Sequence, residues 1–506
     1  MFPVPGYECA MSDDIEIPET VASSSIERYQ LFGRLLGPLV FALMFVTEDW
    51  QGAMSQEAWR VAGVGLWMAI WWATEAIPVP VTAFLPLVVF EPLGIASFRE
   101  AAAPFANPTI YLFLGGFMMA LALERWNLHR RIALAILERT GTDGRRLVGG
   151  FMLVCAMLSM WMTNTSTTMM LLPIVLSVVA VMRDNVTDID ERSMQNFQIV
   201  MLLGIAYGSS IGGLATLVGT PPNALLVGYM ADNYGLQISF ARWMAVGIPV
   251  TFTMLPVAWL VLTRLAFPIN IPANRAVQAH LRDLADELGP MSTAERRVAI
   301  VFACVIASWM LRLPVTEWLD IEGVSDQGII MTATVLLFML PSGSVSQPQI
   351  LTWHDAARLP WGVLILFGGG LSLAAAVSDS GLALWLGESL APLNAFGTAI
   401  LVLAAVSLVI FLTELTSNLA TTATLLPVMG AIAVQAGVPP ITLTVPITIA
   451  ASCAFMLPVA TPPNAIVFAT GAISIPQMVR AGFFLNIIGI VIVSIISVFV
   501  APELLR

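Results

Sequence analysis

Lysine is missing from this 506-residue chain, and all 22 of its basic residues are Arg. A genome rich in G+C accounts for that bias. Charge of either sign is scarce, at 11% of residues, and no stretch forms a basic patch, which excludes a nucleic-acid partner. The formal charge of −11 carries no message about a basic partner, because acids gather at the N-terminus (Asp13, Asp14, Glu16, Glu19) and in loops. Cysteine is limited to Cys9, Cys155, Cys304 and Cys453, scattered without metal-ligand spacing or a disulfide framework. The three histidines, His129, His280 and His354, share no spacing either, which argues against a metal centre. What remains is apolar. Hydrophobic residues make up 58% of the chain and the mean hydropathy is +0.85. Its apolar runs repeatedly reach the roughly 20 residues that cross a bilayer as a helix, whereas barrel strands would be shorter and would alternate. The composition therefore predicts an all-α polytopic membrane protein.

Apolar segments lie at about 30–48, 59–77, 79–95, 109–124, 197–230, 241–267, 297–314, 328–342, 361–378, 442–470 and 481–503. Two more, 147–182 and 397–435, are too long for one span and carry polar motifs near their middles. A helix that enters, turns at the motif and leaves on the same side fits both. The expectation is eleven transmembrane helices plus two re-entrant hairpins. Residues 1–29 are polar and lack a signal-peptide core, so the first apolar segment should stay as an uncleaved span. With that tail in the cytoplasm, 17 of the 22 Arg fall inside; Arg60, Arg99, Arg242, Arg312 and Arg506 fall outside. The positive-inside rule thus supports a cytoplasmic N-terminus and an external C-terminus.

The polar motifs come in pairs. Thr163-Asn164-Thr165-Ser166-Thr167-Thr168 is matched by Thr416-Ser417-Asn418-Leu419-Ala420-Thr421-Thr422 around its Asn, and Thr220-Pro221-Pro222-Asn223-Ala224 recurs as Thr461-Pro462-Pro463-Asn464-Ala465. Asn164 and Asn418 stand 254 residues apart, as do Gly115-Gly116 and Gly369-Gly370; the pentapeptides stand 241 apart. A longer polar loop near 183–195 in the first half absorbs the difference. An odd number of crossings separates the copies, so they have opposite orientations: an inverted repeat with a pseudo-two-fold axis in the membrane plane. The reading divides the chain into a cytoplasmic tail (1–29), a first helix and outer loop (30–58), a first repeat (59–268) whose hairpin opens to the cytoplasm, a cytoplasmic linker (269–296), and a second repeat (297–506) whose hairpin opens outward.

Two pre-proline restrictions in succession disfavour the helix and remove amide donors, freeing carbonyls such as those of Gly219 and Ala460. Unwound backbone at membrane depth is tolerated only where protein, water or ligand satisfies it. Carbonyls with Ser, Thr and Asn oxygens are neutral hard ligands suited to an alkali cation; magnesium or calcium would recruit carboxylates. A helix starting just after Asn164 or Asn418 aims free amides and its positive end at the gap, which favours an anion. No Arg lies near either tip. A lone Ser/Thr cluster is ordinarily back-bonded to its own helix, and a lone Pro-Pro is a kink. Duplication of both in register favours a binding site. The Gly pairs read as close-packing positions. Gly208-Ser209-Ser210 offers serines without an intramembrane base, so an intramembrane hydrolase is disfavoured, and the protein is not expected to be an enzyme. A closed two-hairpin site also suits alternating access better than a channel.

On these motifs the chain resembles the divalent anion/sodium symporter family, which includes sodium-coupled di- and tricarboxylate carriers and sulfate carriers. Its signature is a Ser-Asn-Thr tripeptide at each tip, followed by a proline-containing unwound loop. The resemblance covers the chain after residue 30. It implies one sodium site from Ser159, Thr163, Asn164 and the Gly219 carbonyl, and another from Thr413, Thr416, Asn418 and the Ala460 carbonyl. Ser159 and Thr413 hold equivalent places in the repeat, which supports their pairing independently. The resemblance further implies that Asn164, Thr165, Ser417 and Asn418 meet the substrate carboxylates, with Thr220, Pro221, Thr461 and Pro462 lining the pocket. It implies a bacterial inner-membrane homodimer in which an elevator carries C4-dicarboxylates such as succinate, malate or fumarate inward with co-transported sodium. Spans one to three and seven to eight would form the fixed scaffold. Thr163 replaces the signature Ser and Leu419 replaces the signature Thr. Glu414, beside Thr413, keeps open a sodium-independent exchanger or proton-coupled carrier, or else a structural acid near the tip.

Overall fold

The computed structural model describes residues 28–185, 190–390 and 397–505. The expected tail through residue 27 and Arg506 lie outside the described residues. Helix is the only extended secondary structure among the described residues. The first half opens with α1 (Arg28–Val46) and α2 (Gln56–Thr74), followed by α3 (Pro108–Arg125), α4 (Leu128–Thr140), α5 (Gly144–Ser159) and α6 (Asn164–Asn185). It continues through α7 (Glu191–Gly213), α8 (Pro221–Tyr234) and α9 (Phe240–Leu260). The amphipathic α10 (Arg275–Asp286) joins the halves, and α11 (Thr293–Leu319) and α12 (Asp326–Met339) open the second. Then come α13 (Trp361–Asp379), α14 (Leu382–Leu390), α15 (Thr398–Thr413) and α16 (Asn418–Gln435). The chain ends with α17 (Ile441–Ala451), α18 (Pro462–Phe468) and α19 (Ile475–Phe499).

Among the described residues, eight helices are long and apolar enough to cross a bilayer, two of them the hairpin arms α6 and α16. Other crossings are built from shorter or broken pieces. The apolar segment 79–95 is not one helix but two short turns, Val79–Thr82 and Leu85–Val89. Pro80, Pro86 and Pro92 fall inside it, and each removes an amide donor and clashes with the preceding turn.

Exposure separates the lipid side from the core. On α1 only Gly33 and Gly37 are buried, against α2, while Phe32, Leu39 and Leu43 are 63%, 63% and 65% exposed. A helix this apolar and this bare faces hydrocarbon rather than water. By contrast α7 is buried without interruption from Ile199 to Gly213, so it runs through the centre of the bundle.

The repeat seen in the sequence is present helix by helix. α5 spans 144–159 and α15 spans 398–413; α6 starts at 164 and α16 at 418. Within each half the hairpin arms pack on the broken helix: α5 and α6 on α7, α15 and α16 on α17. Between the halves the packing crosses over, with α6 against α18 and α16 against α8. Each hairpin therefore meets the post-break helix of the other half, which brings all four polar motifs to the middle of the fold. Gly115 and Gly369 allow close packing away from the hairpins, since a Cβ would lie 2.7 Å from Ile330 of α12 and 2.3 Å from the Ala83 carbonyl, respectively.

Candidate cation and anion site

Both broken helices stop where proline demands it. α7 ends at Gly213, residues 214–220 are unwound, and α8 begins at Pro221. α17 ends at Ala451 and α18 begins at Pro462, separated by a short turn at Pro458–Ala460. Thr220 (φ −144°, ψ 139°) and Thr461 (φ −144°, ψ 148°) are both extended, the conformation a following proline imposes.

The hydrogen bonds repeat with the helices. Ser159 Oγ donates to Asn164 Oδ1 at 2.5 Å, and Thr413 Oγ1 donates to Asn418 Oδ1 at 2.8 Å. Thr168 Oγ1 donates to the Asn164 carbonyl at 2.9 Å, and Thr422 Oγ1 to the Asn418 carbonyl at 2.8 Å. In the loops, Asn223 Nδ2 donates to the carbonyls of Gly213, Leu214 and Thr216 at 3.3, 3.4 and 2.8 Å. Asn464 Nδ2 does the same for Ala454 and Leu457 at 3.2 and 3.0 Å. The Oδ1 atoms of Asn223 and Asn464 are buried and accept no hydrogen bond among the described residues. These two Asn clamps carry no role in the sequence reading, although their duplication in the pentapeptide was the available signal.

In the first half the expected cation ligands largely converge. A Cβ on Gly219 would sit 2.9 Å from the Ser159 carbonyl oxygen and 2.5 Å from the Gly213 carbonyl oxygen; one on Gly213 would sit 2.7 Å from Asn164 Oδ1. Only glycine permits so close a gathering of oxygens, which then need a cation, a donor or water. In the second half Thr413 Oγ1 also lies 2.9 Å from the Ala451 carbonyl oxygen, which shares the hydroxyl's one proton with Asn418 Oδ1, and buried Ala460 closes the turn before Thr461. Thr163 and Thr416 behave differently. Thr163 Oγ1 accepts from the Ser166 amide at 3.1 Å, and Thr416 Oγ1 lies 2.6 Å from Thr421 Oγ1 and donates to the Leu412 carbonyl. Both hydroxyls serve the local turn and bond to no other member of their ligand sets.

At the hairpin tips Asn164, Thr165, Ser417 and Asn418 are half-buried, and the Thr165 and Ser417 hydroxyls make no hydrogen bond among the described residues. Each stands at the start of a long helix. In α6 the Ser166 amide is taken by Thr163, while the amides of Asn164 and Thr165, and of Asn418 and Leu419 in α16, have no carbonyl one turn back within their helix, so the pair of tips offers neutral donors to an anion. Thr220 and Thr461 are buried beside them, Pro221 is half-buried and Pro462 is exposed. Leu419, the counterpart of Thr165, is only 5% exposed and contributes packing instead of a hydroxyl.

The model of the sodium:sulfate symporter transmembrane region matches residues 30–503. The chain belongs to that family. This symporter family member is 40% identical over 479 residues to the sodium-dependent dicarboxylate transporter SdcS of Staphylococcus saprophyticus, covering 94% of this chain and 92% of the relative. It is 41% identical over 485 residues to the protein of the same name from Staphylococcus aureus, with the same coverage. Among solved structures it is similar in fold to the Alcanivorax borkumensis YdaH transporter, with a TM-score of 0.56 and 14% identity over 93% of this chain and 98% of that one. The Neisseria gonorrhoeae protein MtrF gives a TM-score of 0.53 and 12% identity over 89% of this chain and 97% of that one. The symporter family member is thus a helical membrane transporter and not an enzyme.

Proposed function

We propose that this protein takes up C4-dicarboxylates, such as succinate, malate and fumarate, together with sodium ions across the bacterial inner membrane. The observation that carries the reading is the duplicated half-site: Ser159–Asn164 and Thr413–Asn418 hold the same hydrogen bond at opposite breaks in the helical bundle. Each supplies neutral oxygens for an alkali cation, and the adjoining helix start supplies amides for an anion. With no Arg at either tip, the second negative charge of the substrate is balanced by the bound cations. That makes coupling a matter of charge: the dianion without its sodium leaves buried charge uncompensated, which suppresses leak. The names of the staphylococcal relatives support sodium and a dicarboxylate as the ligands.

The proposed cycle is an elevator within a homodimer, with N-terminus cytoplasmic and C-terminus outside. The two hairpins and the broken helices move as one body against a scaffold of the first three and the seventh and eighth spans. The cross-packing of α6 on α18 and α16 on α8 supports a rigid moving unit, because neither hairpin can shift without the other half. A proton-coupled rival rests on Glu414, and its geometry favours the sodium reading. Both carboxylate oxygens accept from N–H donors, and among the described residues no acceptor for a carboxyl proton is bonded to them.

Proteoliposomes tested by counterflow with a panel of dianions decide this reading. Succinate exchange should require sodium and ignore a pH gradient; sodium-independent exchange would overturn it. The unequal tips give a second expectation. Leu419→Thr returns a hydroxyl to the second tip, and should raise the preference for four-carbon over larger or inorganic dianions by about tenfold, the worth of one hydrogen bond to a charged group at its lower end. An unchanged ranking of the panel would remove position 419 from the substrate contacts.

A further inference from the structure

Glu414 has no place in the ligand sets above, yet it is the most heavily bonded side chain in the second half. Its Oε1 accepts from the amides of Phe455 and Met456 at 2.8 and 2.9 Å and from Asn486 Nδ2 at 2.8 Å. Its Oε2 accepts from the amides of Met456 and Leu457, both at 3.0 Å. Three successive amides wrapped around one carboxylate form an anion nest. Glu414 is 3% exposed, and no Arg or His pairs with it among the described residues.

The first half does the same job without a charge. The residue 254 positions earlier is Met160. The equivalent loop amides, those of Leu214 and Ala215, bond to the carbonyls of Ile211 and Gly212, and Gly219 N bonds to Thr216 Oγ1. The two half-sites are alike in their neutral ligands and differ by one buried negative charge. Amide dipoles stabilise that charge but do not cancel it, and a buried anion without a cation is expensive.

The expected second cation site adjoins Glu414 in the chain and shares its loop. Thr413, the preceding residue, carries the hydroxyl bonded to Asn418 Oδ1, and the loop held by Glu414 runs within three residues into the Pro458–Ala460 turn. We infer that Glu414 is the counter-charge of the second sodium site and the clamp that sets its loop, so this site fills before the dianion arrives, whereas the first, with Met160, fills tightly only with the dianion present. This rests on the assignment of sodium as the co-transported ion. Glu414 acts here through field and loop position, as a positioning residue.

The test is sodium binding to the purified full-length protein without any dianion, followed by radiolabelled sodium and by calorimetry. The native protein should bind sodium under these conditions. Glu414→Gln, which keeps the shape and loses the charge, should raise the half-saturating sodium concentration by about tenfold or more. Asn486→Leu, which removes one donor and leaves the charge, should leave sodium affinity unchanged or tighter even as it lowers thermal stability. A purely structural role would lower stability in both variants with no change in sodium affinity, and that result overturns the inference. If Glu414→Gln does not fold, two variants with native Glu414 carry the question. Dianion-free sodium binding should be lost in Thr413→Ala and kept in Ser159→Ala; equal losses, or the reverse pattern, overturn it. A native protein that binds sodium only with the dianion also overturns this inference and leaves the proposed function standing. One that binds no sodium under any condition overturns the proposed function instead.

Discussion

Asn164→Ala and Asn418→Ala should each abolish sodium-dependent dianion uptake, with a loss of at least about a hundredfold. Each Asn faces two ways. Its Oδ1 already accepts one hydroxyl, from Ser159 or Thr413, and has a second lone pair for a cation. Its Nδ2 donates to nothing among the described residues and is half-buried at the head of a helix, where an anion is favoured. On the proposed assignment, alanine removes a cation ligand and an anion donor together. A hydrogen bond to a charged partner contributes about 1.5–3 kcal/mol, so losing two such contacts exceeds a hundredfold. Asn164→Asp separates the roles: it keeps the cation ligand and places a negative charge against the dianion, so sodium binding should survive while uptake fails. Unchanged uptake by both Ala variants in proteoliposomes would refute the assignment of the tips.

The parts of this site that follow local rules were legible in the sequence. Thr-Pro-Pro breaks a helix wherever it occurs, and the breaks before Pro221 and Pro462 lie where the proline pairs put them. A constant separation between copies is likewise visible without coordinates, and it foretold the matched ends of α5 and α15. Partners chosen by tertiary packing were not legible. Thr163 and Thr416 have the right chemistry for a cation, yet their nearest partners are hydroxyls and amides of their own turn, Ser166 and Thr421. Glu414 meets amides 41 to 43 residues away, and only the docking of the second hairpin on the unwound loop creates that cradle. The crossing of α6 onto α18 is likewise a property of the assembled halves.

Gly212→Ala should lower stability by about 1–3 kcal/mol, although Gly→Ala inside a helix is ordinarily stabilising by roughly 0.5–1 kcal/mol. The reversal comes from what surrounds it. A Cβ at 212 would lie 2.3 Å from the Ala156 Cα and 2.4 Å from the Ala156 carbonyl oxygen, and both are backbone atoms that cannot turn aside. α5 and α7 must then separate, or α5 must bend. Either movement acts on the first half-site, because Ala156 lies one turn before Ser159 and Gly212 adjoins Gly213, whose carbonyl neighbours Gly219. The expected signature is a lower melting temperature in detergent together with weaker sodium activation of uptake. Gly489→Ala is the matched control: its Cβ would meet Met254 Cε at 3.6 Å and Ile410 Cδ1 at 3.8 Å, ordinary contact distances at the ends of flexible side chains. That variant should melt at or above the native temperature and keep native sodium activation. If both variants behave alike, the close approach of α5 to α7 does not set the geometry of the first half-site, and its ligands are held by the Asn223 clamp alone.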